Sequence, residues 1–464
     1  MAKAMLELQA LLGAQNVTEL ECQIIKKHLR KAEEEIIEKL QTVFLDARFF
    51  YLLDLYRQQT ACRFIGWRTI RIRLYSGERY PIQSPVFLRS KPKDRRRRAK
   101  RRDVTRHLGL ELLGFQHKCS PLLVKNCISM ATLCPSFDMG AQVLRSLGIR
   151  MDHRLLQTLC YRTADHIMTK RQANVVDPSW QKSGLRLLIC IDGGRLRHRQ
   201  SRRGRKKKGA KRHGYSTDWV APWLLTIHCV DQTGKVLRKH RPIYDGTVGD
   251  IDAAFDLLRG YLERINVKES EVVSFCADGG NGIWERFEKL EETLPDVVAV
   301  HQVLDYTHAK QNLKEIADLI HQACGVWDYE YETVLKQLNT WLWQGKIDAI
   351  EMFINKRLHR KRQKKKAIKK LNGYFGDHRK FQYQTFQEAG LPMGSGTVES
   401  AIRRVINLRI KGPGQFWKLE NAERMIFLRS QVLSGRWPFV LQSALNQPLN
   451  MLDSSILMEQ SEAA

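Results

Sequence analysis

Leu185-Arg186-Leu187-Leu188-Ile189-Cys190-Ile191-Asp192-Gly193-Gly194 is an apolar run holding a single charge, closed by an aspartate and two glycines. Val272-Val273-Ser274-Phe275-Cys276-Ala277-Asp278-Gly279-Gly280 ends the same way. Short apolar runs bounded by glycine predict strands of a covered sheet. An aspartate at the tip of such a strand is held rigidly, and the glycines after it leave room for a ligand backbone to approach. Taken singly, Asp-Gly-Gly is also a common turn former. A third acid, Glu399, follows the glycine-bounded Gly394-Ser395-Gly396. It falls in the first turn of a helix expected from Thr397 to about Arg409, where an acid by itself suits the helix dipole.

The sequence around these runs predicts an order of elements. Strands are expected at Leu185–Arg197, Ala221–Asp231 and Lys235–Tyr244, then a helix over 249–266 and the strand ending at Asp278. A helix over 281–292, a strand Val297–Leu304 and a long helix after Tyr306 follow. Three strands, helix, strand, helix, strand, helix is an order that resembles the RNase H-like fold. In that fold the first three strands are antiparallel and the first and fourth lie side by side, which would bring Asp192 next to Asp278. The expected class is α/β: an RNase H-like domain with a mixed five-stranded sheet and flanking helices. Residues 184–325 form its core, 326–392 a helical basic insertion, and 393–445 its C-terminal part with Glu399. Ahead of it lies a mainly helical region, divided into 1–103 (helices, a hairpin at 66–88, a basic linker) and 104–180. Within 104–180, Ser136 and Asp152 can cap two helices around Leu147-Gly148-Ile149, the outline of a helix-turn-helix. The tail over 446–464 is polar and expected to fray.

Charge is unevenly spread. Residues 89–106 carry eleven Lys/Arg and two Asp, 195–212 carry eleven and no acid, and 356–370 carry ten and no acid. These three runs account for the whole formal net charge of +29, so the rest of the chain is close to neutral. A single run is ordinarily a solvated face, but three of them point to a polyanion partner. The ten cysteines include no C-x-x-C pair, which argues against a structural zinc site and suits a reducing cytoplasm. No apolar stretch reaches the roughly 18 residues of a membrane span. Gly394-x-Gly396 lacks the remaining features of a nucleotide-binding loop, so no nucleotide cofactor is expected.

Three acids converging from distant parts of a basic chain point to a divalent metal site acting on nucleic acid. Mg²⁺ or Mn²⁺ prefers carboxylate oxygen, and two such ions about 4 Å apart suit phosphodiester chemistry. Asp192 would bridge the two ions, with Asp278 and Glu399 completing one site each. Asp305-Tyr306-Thr307-His308, at the end of a strand, offers a helix cap and an imidazole that orients a carboxylate or acts as a base.

These residues resemble a known family. CIDGG at 190–194, CADGG at 276–280, LDYTHAKQNL at 304–313 and GSGTVESAIRRVINLRIKGPGQFWKLENAERMIFLRS at 394–430 are similar to motifs of bacterial DDE transposases of the Kra-type insertion sequences, within the Mutator-like group. The resemblance implies catalytic, metal-holding roles for Asp192, Asp278 and Glu399, and adds Asp305 and His308 to the catalytic set. The N-terminal cysteine pairs usual in that family are absent. It also implies double-stranded DNA partners (element ends and target), two Mg²⁺ or Mn²⁺ ions, and assembly as a homodimer or larger. DNA contacts are expected from Arg195, Arg197, Arg202, Arg203, Arg205, Lys206 and Lys207 of the second basic run. Further contacts are expected from Arg403, Arg404, Arg409 and Lys411, with Phe416 or Trp417 stacking on an unpaired base. The expected activity is cleavage at terminal inverted repeats and joining of the 3′-hydroxyl to target DNA. A related nuclease or resolvase, or an inactive DNA-binding derivative, is the alternative.

Overall fold

A computed structural model describes residues 17–89, 104–168, 182–201, 214–280, 282–324 and 328–445, with a few isolated positions that include Arg171 and Trp180. The expected linker over 90–103 and the tail from 451 lie outside the described residues. The chain divides into two compact units, Met1–Ile167 with Val440–Ala464, and Met168–Phe439.

The first unit joins helices to a small sheet. Helices α1 (Val17–Leu45) and α2 (Ala47–Gln59) meet at Asp46, whose side chain accepts from the Arg48 N–H at 2.8 Å and caps α2. Strands β1 (Arg63–Arg73) and β2 (Arg79–Arg89) form the expected hairpin, and β3 (Val104–Arg106) adds to β2. The buried Glu33 carboxylate accepts from the N–H and hydroxyl of Ser76 and from the Tyr80 hydroxyl, each at 2.8 Å, and so ties α1 to the hairpin turn. Helices α3 (Leu108–Leu112), α4 (Pro121–Leu133), α5 (Phe137–Ser146) and α6 (His153–Met168) follow. Ser136 caps α5, Gly148 takes φ +80° in the turn, and Asp152 accepts from two N–H groups opening α6.

The second unit is built on a five-stranded mixed sheet in the order β10-β9-β4-β7-β8. Its strands are β4 (Arg186–Gly193), β7 (Trp223–Val230), β8 (Ile243–Thr247), β9 (Val272–Ala277) and β10 (Ala299–Leu304). The first three of these run antiparallel to one another, while β9 is parallel to β4 and β10 parallel to β9. Strand alternation sends Leu187, Ile189, Ile191, Val273, Phe275 and Ala277 into one core, under α7 (Ile251–Arg264) and α8 (Ile283–Glu291). Phe275 stacks on Phe287 at 4.5 Å between ring centres. Cys190 and Asp192, out of step with that set, belong to the opposite face, which α14 (Gly396–Ile402) and α15 (Leu419–Leu433) cover. Between sheet and α14 come α9 (Tyr306–Cys324), α10 (Asp328–Trp343), α11 (Ile347–Arg357), α12 (Lys361–Tyr374) and α13 (Tyr383–Glu388). The third basic run lies mainly on α12, which buries Ala367 and Leu371 and leaves much of its lysine-rich surface exposed. Among the described residues no helix is long and apolar enough to cross a membrane.

Three expected elements are corrected. The third strand is Ile243–Thr247, not Lys235–Tyr244. Asp245-Gly246 reads as a turn, yet Asp245 is fully buried, because the Arg171 guanidinium pairs with both carboxylate oxygens and the Tyr261 hydroxyl donates at 2.9 Å. Gly246 permits the strand pairing, since a Cβ there would meet the Trp223 carbonyl at 2.5 Å. The first strand stops at Gly193 rather than Arg197. Past Gly194, whose N–H bonds to Pro222 O at 2.7 Å, the chain enters a separate ribbon of β5 (Leu196–Ser201) and β6 (Tyr215–Val220). The helix carrying Glu399 is α-helical only to Ile402 and becomes a π turn over Arg403–Asn407, where the buried Arg429 guanidinium donates to the Arg404 and Val405 carbonyls.

Arg171 also bonds Glu423 at 2.6 Å, so one cation serves two carboxylates in the interior. Arg171→Met leaves Asp245 buried and unpaired, and is expected to cost about 3–5 kcal/mol. Urea denaturation followed by tryptophan fluorescence measures that loss.

Candidate functional site

Asp192 and Asp278 each lie two residues beyond Cys190 and Cys276, which face each other across the parallel β4–β9 pairing. Both carboxylates therefore emerge at one edge of the sheet. Asp192 Oδ1 accepts from the Gly193 N–H at 2.6 Å, and Asp278 Oδ1 accepts from the Gly280 N–H at 3.1 Å. The turn-forming role and the convergence of the two acids are thus both present. Two glycines make the approach possible. Gly279 sits at φ +90°, and a Cβ on Gly194 would lie 2.7 Å from Ile406 Cδ1 in the π turn. Beneath the acids, a hydrogen bond with Cys190 and then burial push the Cys276 thiol up, so it stays a neutral thiol.

Glu399 is delivered from the far side of the sequence by Asp305. The Asp305 N–H bonds Ala277 O at 2.9 Å, which sets this residue beside the end of β9. Its side chain is 1% exposed. Oδ1 accepts from the His308 N–H at 2.8 Å and caps α9, while Oδ2 accepts from the Ser395 N–H and, at 2.8 Å, from the Ser395 hydroxyl. Ser395 is the N-cap of α14, and its carbonyl accepts from the Glu399 N–H at 3.2 Å. Burial opposes ionisation of Asp305, but the Ser395 and His308 hydrogen bonds hold its carboxyl below the usual range. His308 Nδ1 is 3.3 Å from Asp305 Oδ1 and 3.8 Å from Glu399 Oε1. Cys190 Sγ lies 3.6 Å from the Thr397 hydroxyl, which packs α14 on the face that carries Asp192.

The electrostatics report the convergence. Asp192 is pushed up to about 6, by burial first and then by the negative charges of Asp278 and Glu399. The Gly193 N–H and His308 act in the other direction. Asp192 therefore feels both other acids as well as His308. Asp305, His308 and Glu399 also offer ligand atoms within 4.8 Å of one another. Oδ2 of Asp305 already accepts two hydrogen bonds and Oδ1 one, so this carboxylate holds Ser395 and the start of α9 in place. Glu399, at 51% side-chain exposure, remains open. Among the described residues Asp192 and Asp278 do not belong to the Asp305, His308 and Glu399 group; a divalent cation shared with Glu399 would offset the acid–acid repulsion that adds to burial at Asp192.

Glu420 and Glu423, the other acids near Glu399 in sequence, do not join this group. Glu423 accepts from Arg171, from the Val248 N–H at 2.6 Å and from the Thr247 hydroxyl at 3.2 Å, at the β8 edge of the sheet. Glu420 lies out in solvent near Lys418.

The candidate DNA contacts divide. Arg195, Arg197, Arg403 and Lys411 are exposed. Arg404 donates to the Tyr244 hydroxyl at 2.8 Å. Arg202, Arg203, Arg205, Lys206 and Lys207 lie outside the described residues. Arg409 and Trp417 are corrected: they are 3% and 8% exposed and offer DNA no surface. The Arg409 guanidinium lies over the Trp417 ring at 5.3 Å, and Trp417 Nε1 donates to Ile410 O at 3.0 Å. Trp417 turns inward because its backbone pairs with β5, through Arg199 N to Trp417 O at 2.7 Å and Trp417 N to Arg197 O at 2.9 Å. Sequence reasoning missed Ser395, masked as a turn residue between two glycines. It also missed Tyr374, a buried phenol pushed up by burial and then by Asp278 and Asp305.

No family model matches the chain, and no curated protein matches it. Among solved structures, the Drosophila P element transposase strand transfer complex is similar to it at 14% identity and a TM-score of 0.24. That similarity spans 73% of this chain and 86% of the other. A likeness of that size decides nothing about fold or chemistry.

Asp192 binds its proton more tightly in the folded chain than in the unfolded one, from 3.8 up to about 6. Its contribution to stability is therefore present below the unfolded value and is lost as pH rises through the folded one. In metal-free buffer, Asp192→Asn is expected to stabilise the chain by about 1–2 kcal/mol at roughly pH 7.5, with the gain vanishing near pH 4. Thermal melts of both proteins across that range, in EDTA, check the sign.

Proposed function

We propose that this chain is a DNA transposase with an RNase H-like catalytic domain, of the kind its motifs resemble in the Kra-type insertion sequences. The observation that carries the reading is geometric: Asp192 and Asp278 end two paired parallel strands, and Asp305 ties the first turn of the Glu399 helix to the end of β9. The strand order and directions, three antiparallel strands followed by two parallel ones beside the first, support the same fold. Basic residues near the acids supply the polyanion side of the reading.

Two Mg²⁺ or Mn²⁺ ions, when bound, would activate the attacking oxygen and offset charge on the leaving one. Asp192 would contribute to both sites, Asp278 to one and Glu399 to the other. Asp305 holds Ser395, and through it the first turn of α14, so that Glu399 stays aimed at the two aspartates. His308 stands between Asp305 and Glu399, where its imidazole orients the glutamate. The exposed Arg195, Arg403 and Lys411 would bind phosphates along the scissile strand, with Arg404 on the π turn. The same centre would first hydrolyse the element end to free a 3′-hydroxyl and then direct that hydroxyl to a target phosphodiester. Double-stranded element ends and target DNA are the partners, and joining two ends requires a homodimer or larger assembly.

Cleavage and strand transfer of labelled element ends in Mn²⁺ test this. Asp192→Asn, Asp278→Asn and Glu399→Gln should each lower both steps by roughly a thousandfold while leaving DNA affinity unchanged. Asp305→Asn should lower them by about 10–100-fold, as expected for a residue that orients a ligand. Full activity in any of the first three would remove that residue from the centre. Cleavage without joining would redirect the reading to a nuclease.

A further inference from the structure

The ribbon β5–β6 stands outside the five-stranded sheet and begins four residues after Asp192. Its register pairs Arg197 with Trp219, Arg199 with Thr217 and Ser201 with Tyr215. Strand alternation puts Arg197, Arg199, Tyr215 and Trp219 on one face. The Arg197 guanidinium lies 4.9 Å from the Trp219 ring centre and 5.7 Å from that of Phe416, and Arg199 lies 4.3 Å from that of Tyr215. Phe416 completes the row, 5.7 Å from Tyr215, because pairing of the next residue, Trp417, with β5 brings this loop alongside.

The rings are not buried by this arrangement. Trp219 is 55% exposed and Tyr215 41%. A two-stranded ribbon that needed only to hold itself together would gain by covering such rings, and leaving them in water is costly. The face joins π surfaces to guanidinium groups, and the run that contains β5 holds eleven Lys/Arg and no acid over 195–212. The one carboxylate on the described part of the ribbon, Asp218, pairs with His198 on the opposite face and accepts from Gln200 at 3.0 Å. Flat rings between cations fit nucleobases and phosphates together. Duplex DNA offers the phosphates but keeps its base faces stacked on one another, so the rings gain only with unpaired nucleotides.

We propose that this face, Arg197, Arg199, Tyr215, Trp219 and Phe416, binds an unpaired DNA strand beside the acid centre. Bases stack on Trp219 and Tyr215, and the guanidiniums take the phosphates. The source of that strand rests on the proposed function, since strand cleavage at an element end leaves unpaired nucleotides; the surface itself does not.

The test uses the full chain in EDTA, so that no cleavage intervenes, and fluorescence anisotropy of labelled DNA. Trp219→Ala and Tyr215→Ala should each weaken binding of an oligothymidylate of about 20 nucleotides by about five- to a hundredfold, and binding of an equally long duplex by less than about twofold. Trp219→Phe should keep most of the single-strand affinity, and the unchanged duplex affinity doubles as the check on folding. Equal losses on both DNAs, or no loss on either, overturn the proposal. Full cleavage by Asp192→Asn would remove the proposed function and leave the ribbon standing. Unchanged single-strand binding by Trp219→Ala, with acid-dependent cleavage intact, would do the reverse.

Discussion

The carboxylate of Asp305 is surrounded by protein and satisfied by donors from two distant parts of the chain. One oxygen closes the first turn of α9 through the His308 N–H, and the other holds the N–H and hydroxyl of Ser395, ninety positions further on. A buried carboxylate left short of donors is expensive, so these bonds are hard to break singly. They fix where α14 begins, and hence where Glu399 points. The helices between α9 and α14 can therefore fold as an excursion without loosening the site. The parallel pairing of β4 and β9 does the same for Asp192 and Asp278, from the backbone instead of a side chain.

The centre concentrates negative charge inside a strongly cationic chain. Asp192 feels both other acids and is partly buried among them, which makes the metal-free fold bear an unfavourable interaction at neutral pH. Asp245 and Glu423, by contrast, are both paired with the Arg171 guanidinium. That contrast between acids matched by a cation and acids left without one favours the metal-binding role proposed for Asp192, Asp278 and Glu399.

Much of this was legible in the sequence, and what was not has definite causes. The apolar runs ending at Asp192 and Asp278 gave two adjacent strands because burial on both faces leaves a continuous apolar signature. β8 was misplaced because its Asp245 is tolerable in a strand only with Arg171, a partner 74 residues earlier. The exit at Gly193-Gly194 into a ribbon was invisible, since Leu196 continues the apolar texture. Arg409 and Trp417 carry the residue types of a DNA contact, and only the pairing of Trp417 with β5 turns that ring inward and leaves Phe416 beside the arginines. The ribbon's own aromatic face was missed for a related reason. Tyr215 and Trp219 gain meaning from the cross-strand register with Arg197 and Arg199, which a linear reading does not supply.

The most direct measurement is a crystal structure of the chain soaked in Mn²⁺, with data collected at the manganese edge. The account predicts anomalous peaks between the carboxylates of Asp192, Asp278 and Glu399, with Asp305 still bonded to Ser395. Manganese held instead by Asp305, His308 and Glu399, or absent from the Asp192 edge at saturating concentration, would contradict it.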